Sequence, residues 1–191
     1  MRRTLSRSLS LVAMPGGGKS TVARHLARRL QCSYVDTDAV VEQRIGCSIR
    51  TFFEREGEDA FRDVEASTLA DLLQGEPMVV ATGGGIVLRE ANREQLREHT
   101  VCVYLRSTPE ELFRRLRHDT KRPLLQVANP LARLREMYIR RDPLYREAAQ
   151  FVIETGRPSV PALVNMILMQ LELAGLVDPT LAPSPVDGVD E

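Results

Sequence analysis

The stretch Ala13-Met14-Pro15-Gly16-Gly17-Gly18-Lys19-Ser20-Thr21 limits this chain more than any other. It follows the apolar run Leu9-Ser10-Leu11-Val12. It opens into residues 22–30, where Val22, Leu26, Ala27 and Leu30 recur at helical spacing and Arg24, Arg28 and Arg29 fall on the opposite side. Strand, glycine loop, Lys-Ser and helix form the layout of a phosphate-binding loop. Successive glycines let backbone N–H groups turn toward an anion. The helix aims its own N-terminal N–H groups at the same point. In such a loop Gly16, Gly17, Gly18 and Thr21 cradle a polyphosphate, Lys19 reaches its outer phosphates, and the Ser20 hydroxyl ligates Mg²⁺. One position departs from the pattern. A glycine is expected first, and the chain has Ala13, which fits only with φ below zero.

The rest of the chain alternates apolar strands with helical patterns. Strands are expected near residues 8–13, 33–38, 78–82, 101–105 and 150–154, and helices near 19–30, 39–45, 58–73, 89–97, 108–117, 130–141 and 160–173. A short helix from a Ser48 cap to a Gly57 stop precedes the one at 58–73. Asp142-Pro143-Leu144-Tyr145 is expected to interrupt the helix that begins at Pro130. Five strands separated by helices predict a three-layer α/β/α fold on a five-stranded parallel sheet with right-handed crossovers. One domain is expected over residues 8–175, with a flexible tail at 1–7 and a disordered, Pro- and Asp-rich tail at 178–191.

Composition narrows the function classes. The 191 residues balance 26 basic against 26 acidic side chains, which gives no bulk attraction to nucleic acid or membrane. No stretch nears the ~18–20 apolar residues of a membrane span. The cysteines Cys32, Cys47 and Cys102 are odd in number and fit no zinc spacing, so reduced thiols are expected. A cytoplasmic enzyme acting on small molecules is the expected class. Only two of the 26 basic residues are lysines, Lys19 and Lys121.

Ligands of open α/β sheets sit at the carboxyl ends of the strands. Asp36 and Asp38 end the second strand there, facing whatever the glycine loop holds. One acid can hold Mg²⁺ through water and the other can accept a proton from a hydroxyl, although Asp38 could instead be a helix N-cap. Gly83-Gly84-Gly85 ends the third strand and permits close approach of a ligand to the backbone. Phe52, Phe53 and Phe61 suit either core packing or the lining of a substrate subdomain. His25 reads as a surface residue. The polar run His118-Asp119-Thr120-Lys121-Arg122-Pro123, within about 117–128, is expected to be a mobile lid over the phosphates.

Across residues 8–175 the chain resembles the shikimate kinase family. The resemblance rests on an ordered set: Pro-Gly-Gly-Gly-Lys-Ser-Thr (15–21), Asp-Thr-Asp (36–38), Phe-Arg-Asp-Val-Glu (61–65), Gly-Gly-Gly (83–85), Lys-Arg-Pro-Leu-Leu (121–125) and Arg-Asp-Pro-Leu-Tyr (141–145). It implies a phosphate-loop kinase that moves the γ-phosphoryl group of ATP to the 3-hydroxyl of shikimate, with Mg²⁺, on the route to chorismate and aromatic amino acids. It also implies that Asp38, Arg62, Gly84, Gly85 and Arg141 hold shikimate, and that Ser20 and Asp36 hold the metal. Arg122 matches a phosphate-clamping arginine and Arg157 an adenine-side one, while Arg115 is placed near the base. Lys19, Asp38 and Arg122 are the implied catalytic residues, in a monomer that binds neither nucleic acid nor membrane. A gluconate-kinase-like enzyme would keep the loop without the Arg62 and Arg141 clamp. A non-catalytic ligand-binding module would be expected to lose Lys19, Asp36 or Asp38, all of which are present.

Overall fold

A computed structural model of the protein describes residues 5–117 and 126–177. Five strands form one sheet: β1 (Ser8–Val12), β2 (Tyr34–Asp36), β3 (Val79–Ala81), β4 (Thr100–Arg106) and β5 (Phe151–Glu154). Their order is β2-β3-β1-β4-β5, and every pairing is parallel. The helices are α1 (Lys19–Arg29), α2 (Thr37–Ile45), α3 (Ile49–Leu73), α4 (Glu90–His99), α5 (Pro109–Leu116), α6 (Pro130–Ala148) and α7 (Val160–Leu173). A single 3₁₀ turn, Ile86–Leu88, lies between β3 and α4.

Alternation along the strands builds the two halves of the core. Leu9, Leu11 and Ala13 pack with Val103, Leu105 and the apolar stripes of α1 and α7. Val12 and Met14 point the other way, with Cys102, Tyr104, Leu112 of α5 and Leu134 of α6. Such two-sided burial explains why β1 and β4 read as continuous apolar runs. β2 is only half-buried, because it is an edge strand with a neighbour on one side alone. All three cysteines are free thiols, and Cys102 is buried. None of the described helices is long and apolar enough to cross a membrane.

Three features differ from expectation. The second strand stops at Asp36 and the helix begins at Thr37, because Asp36 itself caps it, accepting from the Asp38 N–H at 3.0 Å. The helix α6 runs through Pro143 instead of breaking there. Proline removes the donor for the Ile139 carbonyl, but Ile139 lies on the exposed side, 74% accessible, where the loss is cheapest because solvent is at hand. Leu5, placed in the expected tail, is buried against the first half of the core and bridges Val177. The remaining tail residues 1–4 and 178–191, and residues 118–125 of the expected lid with Lys121 and Arg122, lie outside the described residues.

The expected stop at Gly57 is a sharp kink inside α3, with φ 86° and ψ 174°. That region is open essentially to glycine alone. A Cβ there would meet nothing within 4 Å, so any cost of adding one is conformational and not steric. Gly57→Ala is therefore expected to destabilise the protein by about 1–3 kcal/mol. Urea unfolding measures this; unchanged stability would mean that α3 straightens at no cost.

Candidate functional site

The glycine loop rises from the carboxyl end of β1, the middle strand. Gly16 and Gly18 adopt φ of 79° and 81°. Gly18 caps α1 without a side-chain acceptor, so the first-turn N–H groups of α1 receive no side-chain cap and can serve an anion. Ala13 is buried and does not have positive φ; among the described residues only Gln31 does so outside glycine. The departure at the first loop position is thus compatible with the backbone. Its consequence falls on Gly17, where an added Cβ would sit 2.8 Å from the Ala13 Cβ and 3.0 Å from the Met14 carbonyl oxygen. Lys19 folds back over the loop, its Nζ donating to the carbonyls of Ala13 at 3.1 Å and Met14 at 3.4 Å.

A cleft of about 380 Å³ is lined by residues 15–21 together with Asp36, Asp38, Thr82 and Gly84. The loop, the second-strand acids and Gly84 of the third-strand glycines therefore share one cavity. The Ser20 hydroxyl donates to Asp36 Oδ2 at 2.9 Å. Two hard oxygens side by side suit Mg²⁺, which keeps much of its coordination as water and phosphate. Among the described residues no group of three or more acids, histidines or cysteines forms a ready metal cage, so a cation here would rely on accompanying phosphates.

Asp38 lies at the second position of α2, with its carboxylate over Gly83; a Cβ on Gly83 would fall 2.6 Å from Asp38 Oδ1. Burial first, then the neighbouring Asp36, pushes the Asp38 carboxyl above its ordinary value, with Lys19 and Arg62 opposing. A raised value makes its ionised form a better proton acceptor near neutral pH.

The three glycines admit the protein's own groups as well as a ligand. Asp38 presses on Gly83, the Pro15 ring on Gly84 and the Arg62 guanidinium on Gly85. Arg62 is buried and donates to Glu65 Oε2 at 2.7 Å and to Glu58 Oε1 at 3.3 Å. It also lies 5.1 Å from the Phe61 ring centroid and 5.9 Å from that of Phe53. Those two rings stack on each other, 4.7 Å between centroids, and the arginine lies against one side of the pair.

Arg141 lines a second cavity, about 170 Å³, with Glu58, Leu88, Arg133, Glu136, Met137 and Arg140. Its charge also acts on Glu65 and on the Tyr145 hydroxyl, so it stands near the Arg62 group. Arg157 is exposed on the turn after β5 and is not among the residues lining the cleft. The arginine tied to that turn is Arg115, which donates to the Thr155 carbonyl at 2.8 Å and to Ser107 Oγ at 3.2 Å. His25 is exposed, as expected.

Three site-building residues carried no role in the sequence reading. Glu65 is 1% exposed, and its carboxyl is raised by burial against the opposing pull of Arg62. Its signal was the i,i+3 spacing from Arg62, which a solvated helix face shows equally often. Thr37 accepts from the Gly83 N–H at 3.0 Å and ties β2 to the third-strand glycines. Tyr145 donates to the Gly84 carbonyl at 2.5 Å. Nothing in their sequence neighbourhoods points to either contact.

Comparison with known proteins agrees with this geometry. The family model described as shikimate kinase matches residues 15–172. A shikimate kinase of Paracidovorax citrulli is 58% identical over 91% of this chain and 96% of its own. The structure of a shikimate kinase from Acinetobacter baumannii in complex with shikimate superimposes with a TM-score of 0.84 at 41% identity, covering 92% of this chain and 97% of that one. A gluconokinase from Sinorhizobium meliloti reaches a TM-score of 0.59 at 17% identity, over 91% of this chain and 95% of its own, a likeness of fold alone. With the loop, the paired acids and the buried arginine of that family at one sheet edge, the chain belongs to the shikimate kinase family.

Proposed function

We propose that the protein transfers the γ-phosphoryl group of ATP to the 3-hydroxyl of shikimate. The observation that carries this reading is the single cleft shared by residues 15–21, Asp36, Asp38 and Gly84. A phosphate donor and a hydroxyl acceptor have to meet in one water-poor space, and this cleft offers groups for both. The acceptor's carboxylate is what Arg62 and Arg141 add, since forked guanidinium donors match a carboxylate. A gluconokinase-like reading has only the shared fold in its favour.

On this reading the loop N–H groups and the start of α1 hold the phosphate chain. Lys19 exchanges its two carbonyl contacts for phosphate oxygens and offsets charge on the transferring group. Ser20 and Asp36 would hold Mg²⁺, which when bound neutralises the β- and γ-phosphates. Asp38 orients the attacking hydroxyl and takes up its proton. Arg62 and Arg141 fix the ring by its carboxylate, leaving the 3-hydroxyl to face the phosphate. Arg115, anchored beside the β5–α7 turn, and Arg157 on that turn supply the adenine side. Arg122, known here from the sequence resemblance alone, would add a second cation at the phosphates. A monomeric cytoplasmic enzyme accompanies this reading, and the balanced charge gives no bulk attraction to nucleic acid or membrane.

Release of ADP with a panel of acceptors tests the assignment: shikimate, quinate, gluconate and nucleoside monophosphates. Turnover with shikimate well above the rest is expected, and preference for another acceptor would overturn it. Lys19→Ala should lower kcat by roughly 10²–10³-fold, the scale of one lost donor to a developing charge; undiminished turnover would remove Lys19 from the chemistry. Arg141→Ala should raise the KM for shikimate about 10–100-fold with the KM for ATP within about threefold, because a charge-assisted pair is lost on one substrate only.

Asp38→Asn joins function to stability. Because the folded carboxyl is raised, the fold loses stability as pH climbs past the ordinary aspartate value and through the raised one. At neutral pH the ionised Asp38 is therefore a cost, and asparagine removes the charge. The variant should lose turnover, still bind nucleotide by calorimetry, and melt at the same or a higher temperature than the parent at pH 7. A lower melting temperature with lost nucleotide binding would recast Asp38 as a structural or metal-holding group.

A further inference from the structure

The proposed acceptor site draws on two separate parts of the chain: the glycines after β3 and the arginine on α6. Something must hold them in register. Arg141 and Tyr145 are four residues apart on α6, so they share one helix face. Tyr145 is fully buried, and its hydroxyl donates to the Gly84 carbonyl at 2.5 Å. A phenol has one proton to give. With that proton committed to Gly84, the phenol ties the α6 turn that carries Arg141, one helical turn before Tyr145, to the glycines after β3; burial raises the phenol and the Arg141 charge opposes it.

The ring itself is held in place. Tyr145 packs on Tyr104 of β4, with centroids 4.9 Å apart and planes 30° from parallel. The Tyr104 hydroxyl donates to Asp142 Oδ1 at 2.9 Å, and Arg106 Nε reaches the same oxygen at 3.2 Å. Asp142 directly follows Arg141. The turn of α6 that carries Arg141 is thus fastened to β4 through Asp142 and to the glycines through Tyr145. These two fastenings flank Pro143, where the helix lacks one of its own hydrogen bonds. With that internal bond missing, the two outside contacts carry more of the turn's placement.

We infer that Tyr145 is a positioning residue for the acceptor: its hydroxyl holds the Gly84 backbone against the turn of α6 that carries Arg141, at a separation matched to a substrate carrying a hydroxyl and a carboxylate. The inference rests on the acceptor reading above. It predicts an effect confined to one substrate. Without the hydroxyl, Arg141 and Gly84 move independently, and the carboxylate end of the acceptor loses its fixed partner. The phosphate loop is anchored separately, by β1 and α1.

Tyr145→Phe removes the oxygen and keeps the ring, its volume and its stacking on Tyr104. Steady-state kinetics with shikimate, ATP and the methyl ester of shikimate reads the outcome, alongside thermal melting. The KM for shikimate should rise about tenfold, the scale of one lost hydrogen bond beside a charged group, with the KM for ATP within twofold. The preference for shikimate over its ester should shrink by a similar factor, because the ester does not use the carboxylate clamp. Unchanged KM for shikimate, equal change in both substrates, an undiminished preference over the ester or wholesale unfolding of the variant would each overturn the assignment. Failure of the parent protein to phosphorylate shikimate would instead overturn the acceptor reading itself, so the two failures are distinct.

Discussion

The site depends on the parallel pairing of β1 with β3 on one side and β4 on the other. Parallel strands all end at the same edge of a sheet, and β1 is buried on both faces. Its carboxyl end therefore emerges between the ends of β3 and β4, where the glycine loop has a neighbour on each flank. The third-strand glycines arrive on one flank because Leu11 pairs with Ala81. Asp36 arrives one strand further out because it pairs with the same Ala81. A slip of one residue in either ladder would turn the paired side chains to the opposite face. The Ser20–Asp36 hydrogen bond is then a reading of register: it can form only if three strands end level.

Much of this was legible in the sequence, and the parts that were share a physical basis. Local pattern carries local structure. The apolar runs of β1, β3 and β4, the Gly18–Lys19 helix start and the Thr108–Pro109–Glu111 capping box all act within a few residues. The resemblance proposes Asp38, Arg62 and Arg141 together because ordered motifs can encode a site whose members lie far apart in the chain. Contacts between one motif and another were not legible, even where both motifs were recognised. Thr37 with Gly83 spans 46 residues and Tyr145 with Gly84 spans 61. Neither residue type announces a partner at that distance. Pro143 misled for the opposite reason. Its local rule is sound, but the exposed carbonyl of Ile139 and the contacts of Asp142 and Tyr145 outweighed it.

The glycines show the same division. Their presence at the end of β3 signals close approach of a ligand to the backbone; the groups that approach in the structure are the protein's own side chains. What approaches was hidden, because it depends on where Asp38, Pro15 and Arg62 sit in three dimensions. Each of the three glycines makes room for a residue that the acceptor site or the phosphate loop uses. Backbone without side chains is here a means of drawing charged groups from α2 and α3 onto a single point. That convergence has an electrostatic consequence. Burial raises both Asp38 and Glu65; Asp36 adds to it at Asp38 and Asp38 adds to it at Glu65, while Lys19 and the arginines oppose.

Arg62 holds the balance of that group, and its two carboxylate partners are unequal. Glu65 is 2% exposed at its side chain and bonds at 2.7 Å. Glu58 is 60% exposed and bonds at 3.3 Å. Breaking a buried pair strands a charge in a poor solvent, whereas an exposed partner regains water when released. A carboxylate ligand arriving at Arg62 would therefore displace Glu58 and leave Glu65 in place. Arg62 Nε is buried without a partner, so one donor is already unsatisfied there. On the proposed reading, substrate binding exchanges a weak exposed contact for a charge-assisted one. Glu65 meanwhile keeps the guanidinium beside the stacked Phe53–Phe61 pair, against Gly85. A carboxylate inside a carboxylate-binding site then makes sense as the fixed half of the clamp, with Glu58 as the half that yields.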